Sequence, residues 1–107
     1  MSPAPVRLVV VEGDSMRPAL APGDRLLVLG LPVRVGDVVA VRLDGRTMVK
    51  RVAALGEDDL EVRGDNPAAS TDSRVFGPVP HAAVLGRAVY RYAPAARAGR
   101  LRQYRSR

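Results

Sequence analysis

Two residues of this chain, a serine and a lysine, are of the types and in the settings that could do chemistry. Ser15 lies in Gly13-Asp14-Ser15-Met16-Arg17-Pro18, directly after a β-branched run from Val6 to Val11 that reads as a strand. Gly13 and Asp14 turn the chain, and Pro18 keeps a long helix from starting at once. The Ser15 hydroxyl is therefore expected at a strand end, on a tight turn, open to another molecule. Such a hydroxyl attacks a carbonyl only when a base within hydrogen-bond reach takes its proton.

The base is constrained by composition. The chain holds 16 arginines, one lysine (Lys50), one histidine (His81) and no cysteine. Arginine stays protonated, whereas a lysine stripped of water can become neutral. Without cysteine there is no thiol nucleophile, and a single histidine makes no zinc cluster. A Ser-His-Asp triad would have to use His81, which follows Pro80 in what reads as a surface turn. No metal or other cofactor is expected.

Lys50 needs an apolar setting to serve. On the stretch Thr47-Met48-Val49-Lys50-Arg51-Val52-Ala53, alternation puts Lys50 on one face with Met48 and Val52, and Arg51 on the other with Val49 and Ala53. Burial penalises an ammonium ion. Bringing a lysine from about 10.4 to near neutrality takes roughly 4 kcal/mol of differential interaction, which near-complete burial supplies. The strand alone leaves a second arrangement open, a packed stem with the ammonium reaching water.

The elements that position these residues are short strands between turn formers. Strands are expected at 6–12, 24–29, 37–43, 46–55, 60–63 and 83–92, with Asp44-Gly45 closing a two-residue hairpin. Almost no helical pattern is present, so the fold class is all-β. Residues 64–80 read as one long polar loop, unusual in so small a domain unless it is functional. Within it, Asp65 and Asn66 can cap turns, Ser70 or Ser73 can orient an amine, and Asp72 and Arg74 can pair.

At 107 residues the chain makes one domain with a modest core. The net charge is +6, but residues 87–107 hold seven arginines and no acid, so residues 1–86 are close to neutral. The expected organisation is a folded domain over 1–92 and a basic, flexible tail over 93–107. Nucleic acid is not an expected partner; docking of the tail on an anionic surface is the secondary reading. No stretch approaches the 18 or so apolar residues of a membrane span, and no secretory signal is evident. The default is a soluble, cytoplasmic protein.

Four segments, in order, resemble the signal-peptidase-like Ser/Lys proteases. Gly13-Asp14-Ser15-Met16-Arg17-Pro18 resembles the nucleophile box. Gly36-Asp37-Val38-Val39 is similar to the box before the lysine strand. Val49-Lys50-Arg51-Val52 resembles the general-base box. Gly64-Asp65-Asn66 through Asp72-Ser73-Arg74, with Gly86 later, is similar to the closing box. The resemblance implies small coiled antiparallel sheets of the signal-peptidase and repressor-C-terminal type. It implies Ser15 as nucleophile, Lys50 as general base, Ser70 as the serine orienting the lysine, and Asp72 and Arg74 as a bracing pair. Asp65 and Asn66 support the site. The oxyanion hole would be the backbone N–H of Ser15 plus one more donor; some members use a hydroxyl at the position held here by Gly13, which has no side chain.

Two departures refine the resemblance. Typical signal peptidases carry a membrane anchor before the serine box, where this sequence has about a dozen residues. The wording Asn-Pro-Ala-Ala-Ser-Thr-Asp-Ser-Arg from Asn66 to Arg74 looks most like the nickel-type superoxide dismutase maturation proteases. The implied partner is a dismutase precursor whose N-terminal extension is removed, with the nickel held by that substrate. The alternatives are a general or auxiliary signal peptidase, a repressor-like regulatory module, and a non-catalytic β domain acting through its arginine tail. The last would lose function without residues 93–107, whereas a protease is expected to keep most of its turnover.

Overall fold

The computed structural model describes residues 5–103 except 70 and 72. Among the described residues, eight strands form one antiparallel sheet: β1 (Val6–Val10), β2 (Arg25–Leu29), β3 (Val38–Leu43), β4 (Arg46–Leu55), β5 (Asp59–Arg63), β6 (Val79–Pro80), β7 (Val84–Ala93) and β8 (Gly99–Arg100). Their order across the sheet is β1-β2-β7-β3-β4-β5-β6, with β8 beside the far half of β7. Register shifts interrupt the β2–β7, β3–β7 and β4–β5 pairings. Such bulges bend and twist a sheet, so its two ends can wrap over separate cores. The all-β expectation holds.

The sequence of β3 explains its central place. Val38 and Ala40 enter one core with Val9, Val11, Met16, Leu20, Leu26, Val28 and Ala88. Val39 and Val41 enter the other with Val52, Leu60, Val62 and Val79. A run apolar at every position is what a strand covered on both faces requires. β4 returns from β3 through the two-residue turn Asp44-Gly45, with Leu43 opposite Arg46. That register sets Lys50 opposite Val39 and Arg51 opposite Val38.

One region differs from the sequence expectation. The described residues of 64–80 contain a 3-10 turn (Pro67–Ala69), a short helix α1 (Ser73–Phe76) and β6, where a single loop was expected. Regular elements also occur past residue 92. A 3-10 turn (Ala95–Arg97) and β8 carry the chain back along β7, and Leu101 packs on the first core. The holding contacts are long-range ion pairs and backbone bonds, which composition alone does not reveal.

Asp24 is the main such anchor. Its carboxylate is fully buried, yet it accepts hydrogen bonds from the Ala21 N–H (2.9 Å), Arg91 Nη1 (3.0 Å) and Arg97 Nη2 (2.5 Å). Burial pushes its pKa up, but the Ala21 N–H and the Arg97 and Arg91 guanidinium groups outweigh that, and the carboxyl is held below its ordinary value.

Candidate active site

Ser15 is delivered by the turn that leaves β1. Gly13 adopts φ +72°, a left-handed conformation costly for any residue with a Cβ, although a Cβ there would touch nothing within 4 Å. Backbone geometry, not crowding, thus requires glycine where some relatives of the motif carry a hydroxyl. Met16, next to the serine, is fully buried in the first core. Its carbonyl accepts from the Leu20 N–H at 2.9 Å, closing one helical turn. Ser15 therefore stands half-buried on a turn nailed down by the residue after it.

Lys50 comes from the middle of β4. Only 4% of its surface is exposed, and its strand face is that of Met48, Val52 and Val39. The Gly36-Asp37 turn clamps the strand just beyond it. The Gly36 N–H donates to the Val52 carbonyl (2.9 Å), and the Val52 N–H donates to the Asp37 carbonyl (2.9 Å). The Asp37 carboxylate accepts the Arg34 N–H at 2.7 Å and is buried. The box that precedes the lysine strand thus fixes the position of that strand.

Both residues line one cleft of about 360 Å³, together with residues of the turn after β1 (Glu12, Gly13, Asp14), of the β3–β4 hairpin (Leu43, Asp44, Arg46 to Val49) and of the closing loop (Ala69, Thr71, Phe76). His81 is elsewhere. It is exposed at the β6–β7 turn, with Nε2 2.9 Å from the Gly56 carbonyl, and does not line this cleft.

Asp65 and Asn66 do more than cap a turn. The Asn66 N–H donates to the Ser15 carbonyl at 2.8 Å, and Asn66 Nδ2 donates to the Asp14 carbonyl at 3.2 Å. Asp65 takes two parallel bonds from Arg51, from Nε to Oδ1 and from Nη2 to Oδ2, each 2.8 Å. Both side chains are more than nine-tenths buried. Arg51 was not singled out from the sequence. The available signal was an arginine on an apolar strand face, where it needs a partner. Arg74 lies exposed on α1, beside a second cavity that Arg51 and Asp65 also line. Ser70 and Asp72, the expected lysine-orienting serine and the partner of Arg74, lie outside the described residues.

The cleft thus carries a hydroxyl on a fixed turn and a buried lysine from the middle of β4. The mostly antiparallel sheet fits a peptidase of the signal-peptidase type, and comparison with known proteins gives the class. The family described as Peptidase S24-like matches residues 1–89, and the chain belongs to that family. A probable signal peptidase I-1 of Synechocystis sp. is 27% identical to it, over 85% of this chain and 73% of that protein. The mitochondrial ATP-independent inner membrane protease subunit 1a of Arabidopsis thaliana is 37% identical, over 65% of this chain. The chain spans 56% of that second protein. These kinships make it a serine peptidase in class, with a protein substrate. Among the described residues, no helix is long and apolar enough to cross a membrane.

Proposed function

We propose that the chain is an endopeptidase in which Ser15 is the nucleophile and Lys50 the general base, trimming an N-terminal extension from a protein precursor. The observation that supports this is that Ser15 and Lys50 line the same cleft, with Lys50 almost entirely shielded from water. Lys50, as the neutral amine, takes the Ser15 proton as Oγ attacks the scissile carbonyl. The ammonium so formed returns the proton to the leaving amine, giving an acyl-enzyme, and water activated by the same amine releases it. The Ser15 backbone N–H is assigned to the oxyanion, Ser70 to orienting the amine, and Asp72 with Arg74 to bracing the loop. Gly13 supplies no side-chain donor.

The substrate reading is a nickel-type superoxide dismutase precursor met in the cytoplasm, supported by the wording from Asn66 to Arg74. Exposed Arg100 and Arg102 offer a peripheral contact to an anionic surface. The second reading, a general or auxiliary type I signal peptidase, is supported by the similarity to a protein named probable signal peptidase I-1. Incubation of the purified chain with each precursor, followed by sequencing of the new N-terminus, separates them. Trimming of the dismutase precursor alone supports the first, trimming of a secretory precursor the second, and trimming by a Ser15→Ala variant removes the mechanism.

A further inference from the structure

The segment 95–103 pairs back along β7 without lining the cleft, and it makes a contact that the fold alone does not require. Arg97 reaches the buried Asp24, the Leu101 N–H donates to the Val89 carbonyl (3.1 Å), and Gln103 Nε2 donates to the Val35 carbonyl (3.0 Å). Between the last two anchors, the Arg102 carbonyl accepts a hydrogen bond from Arg51 Nη1 at 3.1 Å. The same nitrogen donates to the Gly36 carbonyl at 2.8 Å, while Nε and Nη2 grip Asp65.

We infer that residues 95–103 are a positioning strap for the catalytic pair, acting through Arg51, Asp65 and Asn66 on Ser15. This rests on the reading of Ser15 and Lys50 as that pair. Arg51 directly follows Lys50 on β4 but points to the other face, so its guanidinium is held from behind the strand. The strap supplies one of its acceptors, and the Arg51 and Asp65 side chains are more than nine-tenths buried. Buried, the planar Arg51–Asp65 pair is rigid and strong; opened to water, pairs of this kind contribute little. Asp65 is joined by one peptide bond to Asn66, whose N–H fixes the carbonyl of the nucleophile. Loosening the strap therefore loosens Ser15 relative to Lys50 without touching the cleft. A misplacement of about 1 Å at reacting atoms costs up to about 10²-fold in rate.

The test compares chains ending at residue 103 and at residue 98, with and without Asp65→Asn, on a precursor the full chain cleaves. The chain ending at 103 should match the full chain. The chain ending at 98 should lose about tenfold in kcat with KM within about twofold. Asp65→Asn should lose a similar factor, and the combination should be no slower than the worse single variant, because both act through one pair. A purely structural role predicts a lower melting temperature with factors that multiply, and that result, or an unchanged kcat at 98, overturns the inference. If the chain ending at 98 does not fold, Arg97→Ala with Gln103→Ala frees the strap by two point changes and takes its place. Amide exchange at Asn66 reads the same coupling without catalysis. It should quicken when the strap is freed, and no change there overturns the strap. A Ser15→Ala chain that still cleaves overturns the catalytic reading while leaving the exchange result standing.

Discussion

The Asn66 N–H and the Ser15 carbonyl, 51 positions apart in sequence, meet at 2.8 Å and join the loop after β5 to the turn that carries Ser15. The Asn66 side chain adds a bond to the Asp14 carbonyl. Asn66→Ala removes only the second and should lower kcat a few-fold. Asn66→Pro removes the N–H as well and should lower it by about ten- to a hundredfold, with little change in KM. Steady-state rates of the two variants, set against their melting temperatures, check that the loss is one of alignment. Equal rates for both would mean the backbone bond is irrelevant to turnover.

Lys50→Arg separates charge from base catalysis. The guanidinium keeps the positive charge but cannot accept the Ser15 proton, so the variant should be as inactive as Lys50→Ala. Activity in the arginine variant would remove the amine from the proton transfer.

How far the sequence led can be judged at particular residues. The two-residue turn at Asp44-Gly45 and the ten residues of β4 follow from local chemistry, so both were legible. The burial of Lys50 was legible in part: alternation gives it apolar neighbours on its face but leaves open whether its ammonium reaches water, and the structure leaves only 4% of it exposed. β1 ends at Val10 rather than at Glu12 because the Val11 N–H and carbonyl bond to the Asp24 carbonyl and the Gly23 N–H. The pairing of Arg51 with Asp65 and of Arg97 with Asp24 was not legible. Among 16 arginines, nothing local marks which one a given carboxylate will find. β8 has two residues and no alternation to read, so its existence depends on those same distant partners.

Met16 tests how the nucleophile turn is held. It is fully buried in the first core beside Val9, Val11 and Leu20. Met16→Ala should cost about 2–5 kcal/mol of stability, and Met16→Leu, of similar volume, less than about 1.5 kcal/mol. Denaturant unfolding of the two variants measures this. Activity of the folded Ala variant should fall further than its remaining folded fraction explains, since Ser15 inherits the slack.

Asp24 makes a prediction in pH. Its carboxyl is held below the ordinary value, with burial opposing and the Ala21 N–H and the Arg97 and Arg91 groups prevailing. A carboxyl whose folded pKa is depressed stabilises the fold fully above its unfolded value, about 3.9, and that stabilisation is lost as pH falls toward the lower folded value. The unfolded chain binds the proton first, so acid pulls the equilibrium toward unfolding. Asp24→Asn keeps the shape, but its one carbonyl oxygen can accept from only one of the two guanidinium groups, and without charge. It should therefore melt well below the parent at pH 7, and the gap should narrow as pH drops from 5 to 3. A gap that stays constant over that range would mean that the buried carboxylate holds the C-terminal segment by shape alone and not by its charge.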